Sequence, residues 1–569
     1  MNSNNKTIAC PLDCYDTCEA IVVDGKIRGN KGHFPTDGKL CSNFIACLKA
    51  DYLQTPLYNN RKITLEESLN ILVEKLKNVN ANNSLFYKGS GNLGVMQSSL
   101  KSFFAKYGST LTQGSLCDGG GGFGIKATRG EVVNPPIEKL LEADVIIVWG
   151  RNFSVTSSHM YELVKDKTFI TIDPIKTHIA KRSELHLSLN PKTDYELALL
   201  LTRFAYMQDM EDDEFCKKYD TSEDFFDLAK SRPIISYEEA TGVSLDDINR
   251  FFEIIENKKV ALVLGLGVQK YYEGANITRC IDSFAAFLGL HNSSHHSGVW
   301  YLSNSTYGYE SQFDTTNSLI KEDVSEVDFA EYEFVFIQGA NPVVSAPNTK
   351  RVINGLKNSF VVFMGTTYND TCEYADLIIP SCSFLEKEDI RLSYGHQYKA
   401  VSNKINEPSK DTISEYDLTK YLYEVFNFDG LKDEKEVLNY YKNSKAKEYV
   451  FDNFEFIDDI EIEHLYEQKL ENEYYFITAK QKRSLNSSFK IDNYLYLNPK
   501  TNIKDGSKVK LRSKYGEASF EVKLTQDVKP NCVLCYAGNK KANYLTPYKS
   551  DETSHSAMYQ EVLVSIELP

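Results

Sequence analysis

The chain has 569 residues, too many for a single hydrophobic core, so we expect two to four domains. Its formal net charge of -15 argues against a nucleic-acid or anionic-membrane binder, because both depend on clustered lysine and arginine. No leader and no apolar stretch long enough for membrane insertion is recognisable, so we expect a cytoplasmic protein whose 12 cysteines are metal ligands or buried thiols.

Four cysteines mark the N-terminal segment, three of them at four-residue intervals: Cys10, Cys14, Cys18 and Cys41. Four thiolates in one small site suit an iron–sulfur cluster or a tetrahedral zinc ion. Zinc sites usually show Cys-x2-Cys pairs, so the spacing favours a cluster over zinc. Unpaired buried thiols are the structural alternative. Residues 20–28 alternate in polarity and predict a hairpin with its turn at Asp24-Gly25.

From about residue 60 the pattern changes to helices alternating with short apolar strands. Helical periodicity runs from Leu65 to Leu76. Near-continuous apolar runs are typical of parallel strands buried on both faces. They lie at Ser84–Tyr87, Val145–Trp149, Phe169–Ile172, Val260–Leu264, Phe334–Ile337 and Phe360–Met364. The alternation predicts an α/β fold with two doubly wound sheets.

A weak internal repeat relates two of these strands. Residues 144–152 resemble residues 333–341, and each copy runs from a strand into Gly-x-Asn, at Gly150 and at Gly339. Two such halves would place two nucleotide sites across a cleft, at the carboxyl ends of the strands.

A run of glycines directly follows Cys117 and Asp118. Glycines allow close backbone approach, and free N–H groups at a helix start attract pyrophosphate, which makes Gly119 and Gly120 candidates. The alternative is a glycine loop beside an incidental buried cysteine. The segment 88–91, after a strand, has the same phosphate-binding character.

The sequence pattern changes twice in the C-terminal third of the chain. Residues 426–472 are acidic and weakly helical, as expected of a connecting region. From Tyr474 the chain is rich in strands, with turns at Asp505-Gly506 and Tyr515-Gly516. This pattern predicts a separate β-barrel in residues 473–569.

The ordered set of motifs resembles the molybdopterin oxidoreductases of the dimethyl-sulfoxide-reductase and formate-dehydrogenase type. The likeness covers nearly the whole chain, in the family's order. It rests on the cysteine motif, the Gly-x-Asn turns, Ile172–Pro174, Thr193-Asp194, Gly339–Pro342, Ala375–Pro380, Leu485–Ser487 and Asn543–Pro547.

The resemblance implies a four-domain α/β architecture that ends in a barrel. Its parts are a [4Fe-4S] domain at 1–55, an α/β domain at 113–304, a discontinuous α/β domain at 56–112 plus 305–425, a connecting region at 426–472 and the barrel at 473–569. It also implies a bis(molybdopterin guanine dinucleotide) cofactor holding Mo or W, with the cysteine quartet holding one [4Fe-4S] cluster.

The same resemblance assigns roles to individual residues. Cys117 is implied as the metal ligand, and Asp118 is our candidate for a nearby proton acceptor. The residues implied to contact the cofactor are Lys88, Gly89, Gly91, Gly119, Gly120, Gly150, Asn152, Asp173, Asp194, Gly265, Gly267, Gly339, Asn341, Thr366, Asp376, Asn486 and Asn543.

The implied activity is a two-electron oxygen-atom or hydride transfer on a small-molecule substrate, with electrons relayed through the cluster to a partner redox protein. Two alternatives stay open: a non-redox hydratase of the same family, and an electron-transfer subunit without the metal. Three departures from the family pattern limit the choice of substrate. Asn43 stands where a lysine is common, Asp118 stands where formate dehydrogenases have histidine, and residues 298–304 contain no arginine for a formate carboxylate. Asp118 and the missing arginine argue against formate, Asn43 changes the charge near the cluster, and a chain shorter than most catalytic members suggests a more open site.

Overall fold

The structure is a computed structural model that describes residues 6–132, 134–219, 221–301, 309–316, 321–447, 453–458 and 469–568. Residues 302–304, part of the stretch without arginine, lie outside the described residues. Among the helices in the described ranges, none combines the length and apolar character that crossing a bilayer requires.

The N-terminal segment folds as a small antiparallel sheet of Lys6–Ala9, Glu19–Val23 and Lys26–Gly29. The predicted hairpin is confirmed, and both turn residues are left-handed, with φ of 49° at Asp24 and 71° at Gly25. A short helix, Ser42–Cys47, begins directly after Cys41. The apolar core here is small, which leaves a metal site as the main candidate for holding this segment together.

A five-stranded parallel sheet forms the first α/β half. Its spatial order is Leu185–Leu187, Thr168–Ile172, Val145–Trp149, Val260–Leu264 and Gly298–Tyr301. The three strands predicted here are confirmed. Helices that cover this half are Gly119–Arg129, Phe153–Thr156, Ser158–Val164, Asp194–Met207, Asp213–Lys218, Thr221–Lys230, Ile234–Thr241, Leu245–Ile255 and Gly274–Phe287.

An eight-stranded mixed sheet forms the second half. Its order is Lys321–Asp323, Thr110–Gln113, Ser84–Lys88, Phe334–Gln338, Phe360–Gly365, Leu377–Pro380, Leu57–Tyr58 and Arg61–Lys62, and only the last two strands pair antiparallel to their neighbours. The predicted strands and the helix from Leu65 are confirmed. The helices are Leu65–Asn78, Ser98–Tyr107, Pro342–Ser345, Thr349–Leu356 and Glu415–Val425.

The two halves repeat one backbone arrangement, which confirms the internal repeat. The Gly150 amide donates to Ile172 O at 2.9 Å, and the Gly339 amide donates to Met364 O at 2.9 Å. Both glycines have positive φ, 62° and 54°. A Cβ added at Gly89 would lie 2.5 Å from Gly339 O, so only glycine allows the loops of the second half to meet.

The connecting region contains the helix Glu434–Asn443, and its residues 454, 456 and 457 pack into the core of the first half. The predicted barrel is present and closed. Its strands run in the order Glu473–Ala479, Cys532–Tyr536, Tyr494–Leu497, Glu517–Leu524, Lys508–Arg512 and Leu563–Glu567. Short two-stranded pairs are Asp389–Leu392 with Lys399–Ser402, Ser484–Leu485 with Ser488–Phe489, and Ser550–Asp551 with Ser556–Ala557.

Candidate functional site

A cavity of about 1390 Å³ lies where the N-terminal segment, both α/β halves and the barrel meet. Its walls are the loops at the carboxyl ends of the parallel strands in both sheets, together with two barrel segments within residues 477–489 and 537–543. Pockets for single small molecules usually measure about 300–1,000 Å³. The cavity therefore has room for an unusually large ligand.

Thirteen of the seventeen residues predicted to contact a cofactor line this cavity. They are Lys88, Gly89, Gly91, Gly150, Asn152, Asp173, Asp194, Gly267, Gly339, Asn341, Thr366, Asn486 and Asn543. Cys117, Asp118 and all four cysteines of the N-terminal quartet line it as well. Residues separated by more than 500 positions in the chain thus face one space.

Four predicted residues lie outside this lining. Asp376 precedes its strand, at the amino end of the sheet, where its carboxylate accepts from the Val361 amide at 2.8 Å. The prediction for Asp376 is corrected because ligands of parallel sheets lie at the opposite edge. Gly265 packs behind the wall, where an added Cβ would lie 2.3 Å from Gly150 O.

Gly119 and Gly120 also lie behind the wall instead of facing the cavity. A Cβ on Gly119 would meet Ser556 Oγ at 2.2 Å, and one on Gly120 would meet Gln269 O at 3.2 Å. The glycines begin the helix Gly119–Arg129, and the next amide, at Gly121, donates to the Gln269 side chain. The described contacts give these glycines a packing role, and phosphate binding by their N–H groups stays a prediction.

The loop that carries Cys117 is fixed by polar contacts on both sides. Ser115 Oγ accepts from the amides of Cys117 at 3.0 Å and Asp118 at 3.1 Å, and it donates to Asp118 Oδ1 at 2.5 Å. Gln269 donates to Cys117 O at 2.8 Å, and Tyr301 OH donates to Asp118 O at 2.8 Å. The thiol is therefore presented to the cavity by a rigid loop.

Burial raises the pKa of Cys117 well above its usual value, and the neighbouring Asp118 raises it further. Its exposed surface faces the cavity, so the thiol is accessible there but shielded from bulk water. A thiolate at this point needs a compensating positive charge. A soft metal ion would supply that charge, which makes the donor chemistry fit a molybdenum or tungsten ligand.

The four N-terminal thiols share one wall of the cavity. Burial is the main cause that raises the pKa values of Cys14 and Cys18, and the nearby charge of Asp16 adds to it. Across the described ranges, no three His, Cys, Asp or Glu side chains are grouped closely enough to hold a single metal ion.

Two buried lysines line the cavity, and the acidic groups near them do not offset the cost of burying their charge. Burial and the nearby Lys101 lower the pKa of Lys88 to about 8. Burial and Lys480 likewise lower the pKa of Lys270 to about 8. A polyanion such as a pyrophosphate between these side chains would favour their charged forms, so the lysines fit a dinucleotide ligand.

Other polar groups on the wall are buried and have no partner in the described structure, namely Asn152 Oδ1 and Gln481 Nε2. Buried polar atoms rarely stay unpaired in native proteins. In the second half, Asn341 donates to Ser487 Oγ at 3.1 Å, so that half already contacts the barrel. The unpaired atoms therefore indicate a polar ligand in the cavity.

Two buried carboxyl groups line the cavity on the side of the first half: Asp173 follows the strand Thr168–Ile172, and Asp194 begins the helix Asp194–Met207. Burial, with repulsion from Asp194, raises the pKa of Asp173 to about 7. Burial raises the pKa of Asp194 to about 7 as well, although Trp149 Nε1 donates to it at 2.7 Å. A carboxylate can accept two parallel hydrogen bonds, which matches the N1–H and N2–H₂ edge of guanine.

These carboxyl groups predict a pH dependence of the cofactor-free protein. Their folded pKa of about 7 exceeds the usual value of 3.8, so both groups stay neutral in the folded state over a pH range in which they ionise in the unfolded state. Their contribution to the free energy of unfolding is therefore complete near pH 4 and is lost as pH rises through 7. We expect Asp173→Asn to reduce the fall in thermal unfolding temperature between pH 5 and pH 8. One carboxyl group accounts for roughly 4 kcal/mol at most. The control, D224N at an exposed position, should keep the wild-type pH profile.

Sequence reasoning missed several residues at this site. Asp13, between two quartet cysteines, lines the cavity and accepts from Asn486 Nδ2 at 3.4 Å. Lys270 and Lys480 come from different domains and both act electrostatically on Cys117. For Lys270 and Gln269, the only signal in the sequence was the glycine turn that precedes them, Gly265–Gly267. Their contacts with the Cys117 loop form only in the tertiary fold.

Comparison with known families decides the assignment. The family profile described as molybdopterin oxidoreductase matches residues 53–425, more than half of the chain. The chain belongs to the molybdopterin oxidoreductase family. A second profile, the molybdopterin dinucleotide binding domain, matches residues 469–563 and so covers the barrel. The two matches agree with the α/β architecture and the C-terminal barrel.

Individual relatives within this family are distant in sequence. The chain is 26% identical over 476 residues to the probable oxidoreductase YoaE of Bacillus subtilis, covering 75% of this chain and 70% of that protein. It is 23% identical to the F420-dependent formate dehydrogenase 2 subunit alpha of Methanococcus maripaludis, covering 73% and 69%.

Among solved structures, acetylene hydratase from Pelobacter acetylenicus superposes with a TM-score of 0.78 at 15% identity. The superposition covers 99% of this chain and 100% of that one. At this identity the likeness shows the molybdopterin oxidoreductase fold alone.

Proposed function

We propose that the chain is an oxidoreductase that holds a bis(molybdopterin guanine dinucleotide) cofactor with Mo or W in the central cavity. Cys117 ligates the metal, and Cys10, Cys14, Cys18 and Cys41 hold a [4Fe-4S] cluster. One observation carries this proposal: the lone thiol, the cysteine quartet and the Gly-x-Asn turns of both halves line the same cavity. When bound, the cofactor supplies a metal centre that exchanges two electrons with substrate.

The chain's own residues hold the two ends of such a cofactor. Lys88 and Lys270 lie where they can neutralise phosphate groups. Asp173 and Asp194 offer carboxylate acceptors to a guanine in the first half. Thr366 takes the corresponding carboxyl-end position in the second half. The pseudo-symmetric loops therefore suit two nucleotide arms that enter the cavity from opposite sides.

Around Cys117, the protein orients one thiol and one carboxyl group. Asp118 Oδ1 lies 3.2 Å from Cys117 Sγ and accepts from Ser115 Oγ. In this position Asp118 can accept a proton from a substrate held beside the thiol. Ser115 and Gln269 restrict the movement of the loop, so the proton acceptor keeps a fixed distance from the reacting position.

The quartet suits a cluster better than a single ion. Its thiols face one space, and three of them recur at four-residue intervals and not as the Cys-x2-Cys pairs usual for zinc. A four-iron cube takes one thiolate at each iron and so spreads its ligands over a larger volume than zinc does. Such a cluster would pass electrons singly between the cavity and a partner redox protein.

A second candidate function is a hydratase, which changes no oxidation state. The observation in its favour is that both Asp13 and Asp118 act electrostatically on the Cys117 thiol. Two carboxyl groups beside a metal-ligating thiol are suited to holding and deprotonating a water molecule. This candidate uses the same cofactor and the same residues.

Elemental analysis of anaerobically purified protein, combined with EPR spectroscopy, tests the proposal. We expect one Mo or W and about four Fe per chain, with a cluster signal after reduction. Iron without Mo or W would indicate an electron-transfer subunit. A protein that contains no iron and neither Mo nor W would contradict the proposal.

Turnover assays separate the two enzyme functions. We expect substrate conversion to require an electron donor or acceptor, such as a viologen dye, and to stop when the dye is left out. Conversion that continues at the same rate without any dye would establish the hydratase instead. The Cys117→Ala variant serves as the inactive control in both assays.

A further inference from the structure

His159 lies where the cysteine segment meets the first α/β half, at the start of the helix Ser158–Val164. Its Nδ1 atom is 3.4 Å from Cys18 Sγ and 3.1 Å from Asp16 Oδ2. The residue is 7% exposed and forms part of the cavity wall. A buried imidazole nitrogen is therefore in hydrogen-bond range of a quartet cysteine.

Asp16 determines which atom of the ring carries hydrogen. An ionised carboxylate only accepts hydrogen bonds, so the Nδ1 atom facing it must be the donor. Asp16 also accepts from the backbone amides of His159 at 3.0 Å and Met160 at 3.4 Å. The same Nδ1 atom lies 3.1 Å from Asp16 Oδ2 and 3.4 Å from Cys18 Sγ, so its one hydrogen is shared between the two acceptors as a three-centre hydrogen bond.

We propose that His159 is a positioning residue that donates a hydrogen bond to the Cys18 thiolate and thereby raises the reduction potential of the cluster. This inference rests on the proposed function, since it requires a cluster in the quartet. A donor to a ligating sulfur withdraws electron density from it, which favours the reduced cluster, the more negative of its two states. His159 thus biases the cluster towards accepting an electron.

The test is a redox titration of the cluster, followed by EPR, in the full-length protein. We expect His159→Phe to shift the midpoint potential to a more negative value and to change the g-values of the reduced cluster. H159Q, which keeps an N–H donor, should recover most of the wild-type potential. The matched control is H291F, because His291 is another buried histidine in contact with an aspartate, Asp282, at 3.1 Å. Its midpoint should equal that of the wild type.

An unchanged midpoint in H159F would overturn the inference, as would an equal shift in H291F. If H159F binds no iron, pulsed EPR of the reduced wild-type protein grown with ¹⁵N-labelled histidine decides the question. A histidine nitrogen coupling that persists in H291F supports the hydrogen bond, and the lack of any such coupling overturns it. A wild-type protein without a cluster would instead refute the proposed function, so the two failures are distinguishable.

Discussion

Cys41→Ser is expected to remove about four iron atoms per chain, whereas Cys47→Ser should keep them. Both thiols belong to the same small apolar cluster of the N-terminal segment, and Cys41 lies close enough to raise the pKa of Cys47. They are therefore matched in environment and differ in the proposed role. Cys41 precedes the helix Ser42–Cys47 and Cys47 ends it, and both line the cavity with the rest of the quartet.

The loss of iron should also destabilise this segment, because ligand binding to a metal centre contributes folding free energy. Residues 6–50 form three short strands, one short helix and a small core. We expect C41S to be cut faster by protease within this segment, with the barrel unaffected. Iron analysis and limited proteolysis measure the two effects. Equal iron loss in C47S would show that packing of the segment, and not ligation by Cys41, holds the cluster.

Cys117→Ala should lower turnover by at least about 100-fold, since even residues that only support a metal ligand change activity by about 10–100-fold. The iron content should stay unchanged, because the quartet is separate in sequence from this loop. X-ray absorption at the Mo or W edge should lose one sulfur neighbour of the metal. C216S, at a half-buried cysteine of the first half, is the control and should keep both activity and the absorption spectrum.

Two results would contradict this role for Cys117. One is a C117A protein with wild-type turnover, which would show that the metal is held without a protein thiol. The other is a large loss of iron in C117A, which would mean that the variant disturbs the fold. Cys117→Ser adds a further check, because its hydroxyl can still donate to Asp118 Oδ1, as the thiol does. We expect C117S to keep the loop in place and to retain partial activity.

Much of the fold could be predicted from the sequence. The buried parallel strands are apolar throughout, so runs such as Val145–Trp149 and Phe334–Gln338 stand out without an alignment. Gly150 and Gly339 could be paired by their common Gly-x-Asn pattern, and both sit at equivalent turns. In each case the local sequence determines the local conformation, which is why the prediction succeeds.

The site could be predicted less completely, for two physical reasons. Asp13, Lys270 and Lys480 act through neighbours from other domains, and no spacing in the sequence encodes those encounters. Asp376 was assigned from the motif around it, although a residue that precedes a parallel strand lies at the amino end of the sheet. The position of Asp376 before its strand was therefore enough to place it away from the cavity.

The loop before Cys117 is completed by a segment made much later in translation. The Ser115 amide donates to His555 O at 3.2 Å, and the Ala557 amide donates to Ser115 O at 3.0 Å. Until residue 557 of the nascent chain has left the ribosome, this edge of the loop has no partner. Loading of a cofactor into this cavity should therefore wait until residue 557 has paired with the loop.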